Sequence, residues 1–308
     1  MPRLTPFLTT ALVAALGALG FAQSPVVRTA DPAKRGLKES DFPRTIRVAD
    51  NVYTYEDFHA GPEKFTTTNM FVVTGDGVLV ADGQGSVAET KGLVDAIAKV
   101  TTQPIKYVVI CSDHGDHTAG NASFAAGVKY LIHPTSKAIL ERGRGWKAPG
   151  DAELVADKKT VQLGREEFQI LFLGRAHTGG DLSVFLPRQK ILFLSETYLN
   201  RVFPAMRSAY PGEWLKALDR AEAMKADIYI AGHGFTETAA VSREEIGAYH
   251  KALDAVIAEA TRLHKAGVAV DDAIAQANWG EYASWTLASS QGPIAIRRVY
   301  EELDGKLK

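Results

Sequence analysis

Ser112-Asp113-His114-Gly115-Asp116-His117 follows directly on Ile105-Lys106-Tyr107-Val108-Val109-Ile110-Cys111, and this junction decides how the chain is read. The apolar run has the length and β-branched content of a buried strand. A polar loop at the end of such a strand projects its side chains over the edge of the sheet. Two imidazoles and two carboxylates are costly to crowd together unless a cation neutralises and orders them. Imidazole combined with carboxylate suits zinc or iron better than magnesium or calcium, which take mostly oxygen. On its own the loop reads equally as a metal site or as a solvated turn.

Three later residues shift that balance towards a metal. His177 lies in Gly174-Arg175-Ala176-His177-Thr178-Gly179-Gly180-Asp181, after a strand predicted over 168–173. Glu196 closes a strand predicted over 191–194, and His233 lies in Ala231-Gly232-His233-Gly234, just past another apolar run. Each polar group stands at a strand end, where a site at the edge of a sandwich collects its ligands.

Outward from the motif, β-rich runs are expected over 46–48, 52–55, 68–73 and 77–81, with Gly75-Asp76-Gly77 as a hairpin turn. Helical spacing over 87–100 precedes the motif strand. A short helix is predicted over 119–126, a strand over 129–132 and a helix over 135–143, followed by a glycine-rich loop carrying Trp146. A second β-rich block covers 160–163, 168–172, 182–186 and 191–194, then a helix over 214–224 and a strand over 228–231. Helices over 244–264, 271–277 and 294–303 finish the chain. Two similar blocks of strands with helices predict an α/β chain of α+β character, built as a two-sheet sandwich with helices outside.

The combination resembles the metallo-β-lactamase superfamily, whose members have a four-layer αββα sandwich of two mixed sheets and a His-x-His-x-Asp-His loop. The resemblance covers roughly residues 45–235 and is supported by Asn69 before a strand and by Val80-Ala81-Asp82-Gly83. It implies a buried carboxylate at Asp82 behind the metal ligands. It also implies a first metal position with His114 and His177 and a second with Asp116, His117 and His233. The family's first motif histidine falls on Ser112, a weak neutral ligand. Glu196 falls where many members carry a metal-bridging aspartate, which is one methylene shorter.

One or two zinc ions per chain are therefore expected in preference to iron, and a hydrolytic site needs only one metal with an open position. The expected reaction is cleavage of an amide, ester or lactone, with a β-lactam-like substrate among the candidates. A metal lowers the pKa of water towards about 7 and gives hydroxide at neutral pH. Asp116 is the expected catalytic residue, orienting that hydroxide and passing its proton to the leaving group, with His114 and His177 expected either as ligands or as donors polarising the scissile carbonyl. The alternatives are an iron-dependent oxygenase of sulfur compounds and a non-catalytic metal-binding accessory protein.

The remaining polar residues weigh less. Cys111 precedes Ser112 on a strand and should face the other way, into the core. His133 reads as a structural histidine, and His59, His250 and His264 have no companions at ligand spacing. Trp146 with Arg142, Arg144 and Lys147 offers a substrate flap, and Tyr198, Arg201 and Arg207 offer partners for a substrate carboxylate. A solvated loop is the simpler reading of each.

Composition bounds the rest. The chain has 308 residues, 46% hydrophobic and 23% charged, which is globular. Its net charge of -1 gives no electrostatic footprint for nucleic acid or an anionic membrane, so the expected partner is a small molecule. Residues 1–22, with Arg3 and an apolar run ending in Gly20 and Ala22, read as a signal peptide. A periplasmic or secreted protein is expected, with no membrane contact after signal removal. A linker or arm is expected over 23–44, a metallo-β-lactamase-like domain over 45–240 and a C-terminal helical extension over 241–308. Cys111 has no partner cysteine, so stability must come from the core and bound metal.

Overall fold

The computed structural model describes residues 27–59 and 64–307. The expected signal peptide lies outside them. No described helix is long and apolar enough to cross a membrane.

The chain opens with β1 (Arg44–Ala49), β2 (Val52–His59), β3 (Phe65–Thr74) and β4 (Gly77–Ala81), all antiparallel neighbours. The Gly75-Asp76 turn closes β3 on β4 as its sequence predicts, with Thr74 opposite Gly77. The helix α1 (Val87–Val100) begins where the Ser86 side chain accepts the Glu89 N–H, and it buries Leu93 and Ile97. Next come β5 (Ile105–Ile110), α2 (Gly115–Thr118), β6 (Lys129–Ile132), α3 (Pro134–Arg142) and β7 (Glu153–Leu154). The second block holds β8 (Lys158–Leu163), β9 (Glu166–Phe172), β10 (Leu182–Leu186), β11 (Ile191–Leu199), α4 (Pro211–Ala223) and β12 (Ile228–His233). It is followed by α5 (Ala239–Lys265), α6 (Val270–Gln276) and α7 (Ala288–Leu303).

Among the described residues, hydrogen bonding runs through all twelve strands in the order β7-β6-β5-β4-β3-β12-β11-β10-β9-β8, with β2 on β3 and β1 on β2. The expected two sheets are thus two halves of one curled sheet, and the seam pairs His233 with Thr67. Each half is mixed: β4, β5, β6 and β7 run parallel in one, and β11 with β12 in the other, beside antiparallel neighbours. Between the halves, Met70, Leu79, Val109 and Cys111 pack with Phe168, Val184, Phe193 and Ile230. Full burial of each such side chain stabilises the fold by ~1.5–3 kcal/mol relative to exposure. On the outer faces Leu93 and Ile97 of α1 cover Val80 and Val108, while α4, α5 and α7 cover Leu192 and Leu194. The layers are therefore helix, sheet, sheet, helix.

One expectation needs correction. In place of a helix over 119–126 there is the single turn of α2, then a 3-10 turn over Asn121–Ser123. Here the chain packs sideways onto the 83–90 segment: Gly83 N–H donates to His117 O and Gly120 N–H to Gln84 O, both at 2.9 Å. A side chain at position 120 would strike the Ser86 carbonyl and the Thr90 hydroxyl. Within the arm expected before β1, Ala30 is fully buried in the core shared by α4, α5 and α7. Arg35 pairs with Glu237 at 2.6 Å, tying the arm down.

Candidate metal centre

Strand ends bring the polar residues together. β5 runs out at Ile110, and the next two N–H groups, of Cys111 and Ser112, donate to Asp82 Oδ1 at 2.7 and 3.4 Å. Asp82 itself stands at the end of β4 with φ +62°, a left-handed conformation that short polar side chains tolerate best. Its other oxygen accepts the Ser195 hydroxyl at 2.5 Å and lies 3.1 Å from His117 Nδ1. Asp82 is fully buried, so one carboxylate bonds both the motif loop and the Glu196 strand and stands beside the His117 ring. On the other side, β12 passes close beside β11 because position 232 is glycine: a Cβ there would lie 2.6 Å from the Ser195 carbonyl carbon. That approach sets His233 beside Glu196.

Two donor groups result, Asp116/His117/Glu196/His233 and His114/His177/Glu196. In the first, His233 Nε2 lies 3.1 Å from Asp116 Oδ2, 3.3 Å from Glu196 Oε1 and 3.4 Å from His117 Nε2. His117 Nε2 and Asp116 Oδ2 are 3.8 Å apart. Four ligands about 2.0–2.2 Å from a zinc ion would stand roughly 3.3–3.6 Å from one another at the corners of a tetrahedron. The four observed separations straddle that range, so these residues fit a metal. His233 Nδ1 donates to the Thr66 carbonyl at 3.1 Å, which leaves Nε2 to face the other donors.

The second group is poorer in donors. Glu196 Oε2 lies 3.0 Å from His114 Nδ1 and 3.1 Å from His177 Nδ1. The Ser112 hydroxyl donates to that same oxygen and accepts the His114 N–H at 3.2 Å. Ser112 is thus committed to Glu196. Glu196 thus directs Oε2 towards His114 and His177 and Oε1 towards His233.

The electrostatics call for positive charge between the carboxylates. Burial opposes a proton on His233 and His114, yet Asp116 and Glu196 raise His233 to about 10, and Glu196 raises His114 to about 9. Burial likewise opposes ionisation of Asp116 and Glu196, but His117 holds Asp116 below the usual carboxylate range, and His114 and His177 hold Glu196 there. A divalent cation can replace those imidazole protons, which is how metal binding couples to proton release.

The other candidates scatter. Cys111 is buried between the sheet halves, with burial pushing its thiol well up. Asp113 is buried rather than solvated, and burial raises its carboxyl above the usual carboxylate range. His133 accepts the Thr135 N–H at 3.2 Å to cap α3 and stacks on Phe172 at 4.2 Å. His250 and His264 pair with Glu222 and Asp304, and the side chain of His59 falls outside the described residues. Trp146 packs on Tyr130 at 5.1 Å, Tyr198 is buried, and Arg201 is engaged by Glu245. Arg207 alone of the three proposed carboxylate partners lines the pocket above the metal centre, a cavity of about 270 Å³.

Sequence reasoning missed Phe65, whose ring meets His233 edge-on at 5.0 Å, and Trp214, which does the same to His177 at 5.3 Å. Trp214 is locked by its Nε1–H to the Thr197 carbonyl at 2.8 Å. Ser195 was also missed, although its place beside Glu196 was a signal. Leu287 and Gln291 line the cavity from the C-terminal segment, and no local pattern pointed to them.

Comparison with known proteins agrees with this architecture. Residues 64–233, more than half of the chain, match the family model of the metallo-beta-lactamase superfamily. The metallo-beta-lactamase IND-1 of Chryseobacterium indologenes is 26% identical over 63% of this chain and 82% of its own length. The 2,4-dinitroanisole O-demethylase subunit alpha of a Nocardioides strain is 24% identical over 55% of this chain, which spans only 52% of that relative. Among solved structures, a metallo-beta-lactamase from Pontibacter korlensis superposes with a TM-score of 0.60 at 20% identity, covering 68% of this chain and 98% of that one. The matched segment carries the two donor groups, and the curled sheet between helical layers has the same fold, so this chain belongs to the metallo-beta-lactamase superfamily.

Proposed function

We propose that this chain is an exported zinc-dependent hydrolase that cleaves an amide, ester or lactone in a small molecule. The observation that carries the reading is the convergence of Asp116, His117, Glu196 and His233, whose donor atoms all lie within 4.8 Å of one another, near a cavity of about 270 Å³. β-Lactams, which the relatives' names suggest, are amides of this kind. Bound zinc supplies Lewis acidity, lowering the pKa of a water to about 7. Asp116, partly exposed on the pocket floor, orients the attacking water and carries its proton to the leaving group. His114 and His177 would either hold a second zinc or donate to the scissile carbonyl, while the Phe65 ring packs edge-on against His233 and Trp214 against His177. Asp116, His117, Glu196 and His233 would hold one zinc, while His114, His177 and Glu196 would offer a second only three donors, because the Ser112 hydroxyl is bound to Glu196.

Elemental analysis of protein purified without added metal tests the reading. One or two zinc ions per chain are expected; iron or no metal overturns it. His233→Ala and His117→Ala should each abolish tight zinc binding, and unchanged zinc content would refute the ligand assignment. Export is tested separately by sequencing the N-terminus of the mature protein, where a start near residue 23 is expected.

A further inference from the structure

The cavity over the metal centre is completed by residues outside the family-matched segment. Leu199, Val202 and Ala205 form part of its wall, and Leu287 and Gln291 another part. The last two lie well beyond residue 233, where the family match ends.

The two pieces of wall are tied through backbone. Val202 forms a parallel bridge with Thr286, and Phe203 N–H donates to the Thr286 carbonyl at 2.8 Å. The Phe203 ring meets Trp279 edge-on at 5.3 Å. Leu287 then turns the chain into α7 with φ +70°, and its carbonyl accepts the Gln291 N–H at 2.8 Å. Glycine is the low-energy residue for that backbone, since a side chain with a Cβ is strained there. The Leu287 side chain is nonetheless present, and it lines the cavity. Gln291 lies one helical turn further along and lines it too. The Gln291 carboxamide and the exposed Arg207 guanidinium have no hydrogen-bond or ion-pair partner among the described residues. Polar groups held at a pocket without protein partners are available to a ligand.

We propose that the C-terminal segment selects the substrate: small acyl compounds with a short apolar group beside the scissile bond and a carboxylate. Leu287 limits the length of the apolar group, and Gln291 with Arg207 receives the carboxylate. This rests on the hydrolase reading for the identity of the scissile bond. A cavity of about 270 Å³ lies just below the roughly 300–1,000 Å³ of ordinary ligand pockets and suits so small a compound.

The test is calorimetric binding of acetate, butyrate, hexanoate and octanoate to the zinc-loaded full chain, which needs no turnover. The wild type should bind the short acids best. Leu287→Gly suits the local backbone and should move the optimum to longer chains, changing the octanoate-to-butyrate affinity ratio by about tenfold or more. Arg207→Ala and Gln291→Ala should weaken the whole series without moving the optimum. An unchanged chain preference in a Leu287→Gly protein of normal melting temperature and zinc content overturns the proposal, as does failure of the wild type to bind any acid. Hydrolysis of amides, esters and lactones is assayed in parallel. A chain that shows these binding shifts and cleaves nothing loses the hydrolase reading and keeps the pocket.

Discussion

Ser112→His perturbs the donor-poor half of the metal centre. Ser112 is fully buried and its hydroxyl is spent on Glu196, so the His114/His177/Glu196 group has three donors where the group around His233 has four. An imidazole at position 112 supplies the fourth. Losing a partner behind a ligand changes metal affinity by about 10–100-fold, so a donor in direct contact should be worth at least about 100-fold, or roughly 2.8 kcal/mol. The larger ring overfills a closed site and costs the metal-free protein about 1–3 kcal/mol. Metal-free S112H should therefore melt below the wild type, and zinc should raise its melting temperature by more than it raises that of the wild type. Native mass spectrometry during a zinc titration should show one tightly held zinc in the wild type and two in S112H. Equal second-zinc affinity in the wild type and a folded S112H refutes the reasoning, because the serine would then not limit the first position.

Asp82→Ala removes the acceptor shared by Cys111, Ser112 and Ser195 and the carboxylate beside His117; chelator competition should show zinc affinity lower by about 10–100-fold. Arg201→Ala leaves the buried Glu245 carboxylate without its two-pronged partner at 2.5 and 2.8 Å. Urea unfolding should record a loss of about 3 kcal/mol, the lower end for a broken buried pair, because Arg28 remains 3.1 Å from Glu245.

Much of the fold was legible because its signals are local. The β4 hairpin, the motif strand β5 and the amphipathic α1 each announce themselves through a turn, an apolar run or helical spacing. The helix expected over 119–126 failed for a non-local reason: Gly120 bonds to Gln84 and lies against Ser86 and Thr90. The arm residue Ala30 looked unremarkable for the same kind of reason, since its burial depends on α4, α5 and α7 folding over it.

The sequence by itself determined which chemistry was on offer and that each donor stands at the end of an apolar strand. His114, Asp116, His117, His177, Glu196 and His233 were all readable in this way. Only the tertiary structure decided how they are shared. Glu196 reaches both donor groups, Ser112 is bound to Glu196 across 84 positions of chain, and Asp82 anchors His117. It also decided that Leu287 and Gln291 line the pocket. Such pairings depend on strand order, on the seam between β3 and β12 and on close backbone approach at Gly232. Periodicity along one chain reports which face of an element is buried; it carries no record of which distant element covers that face.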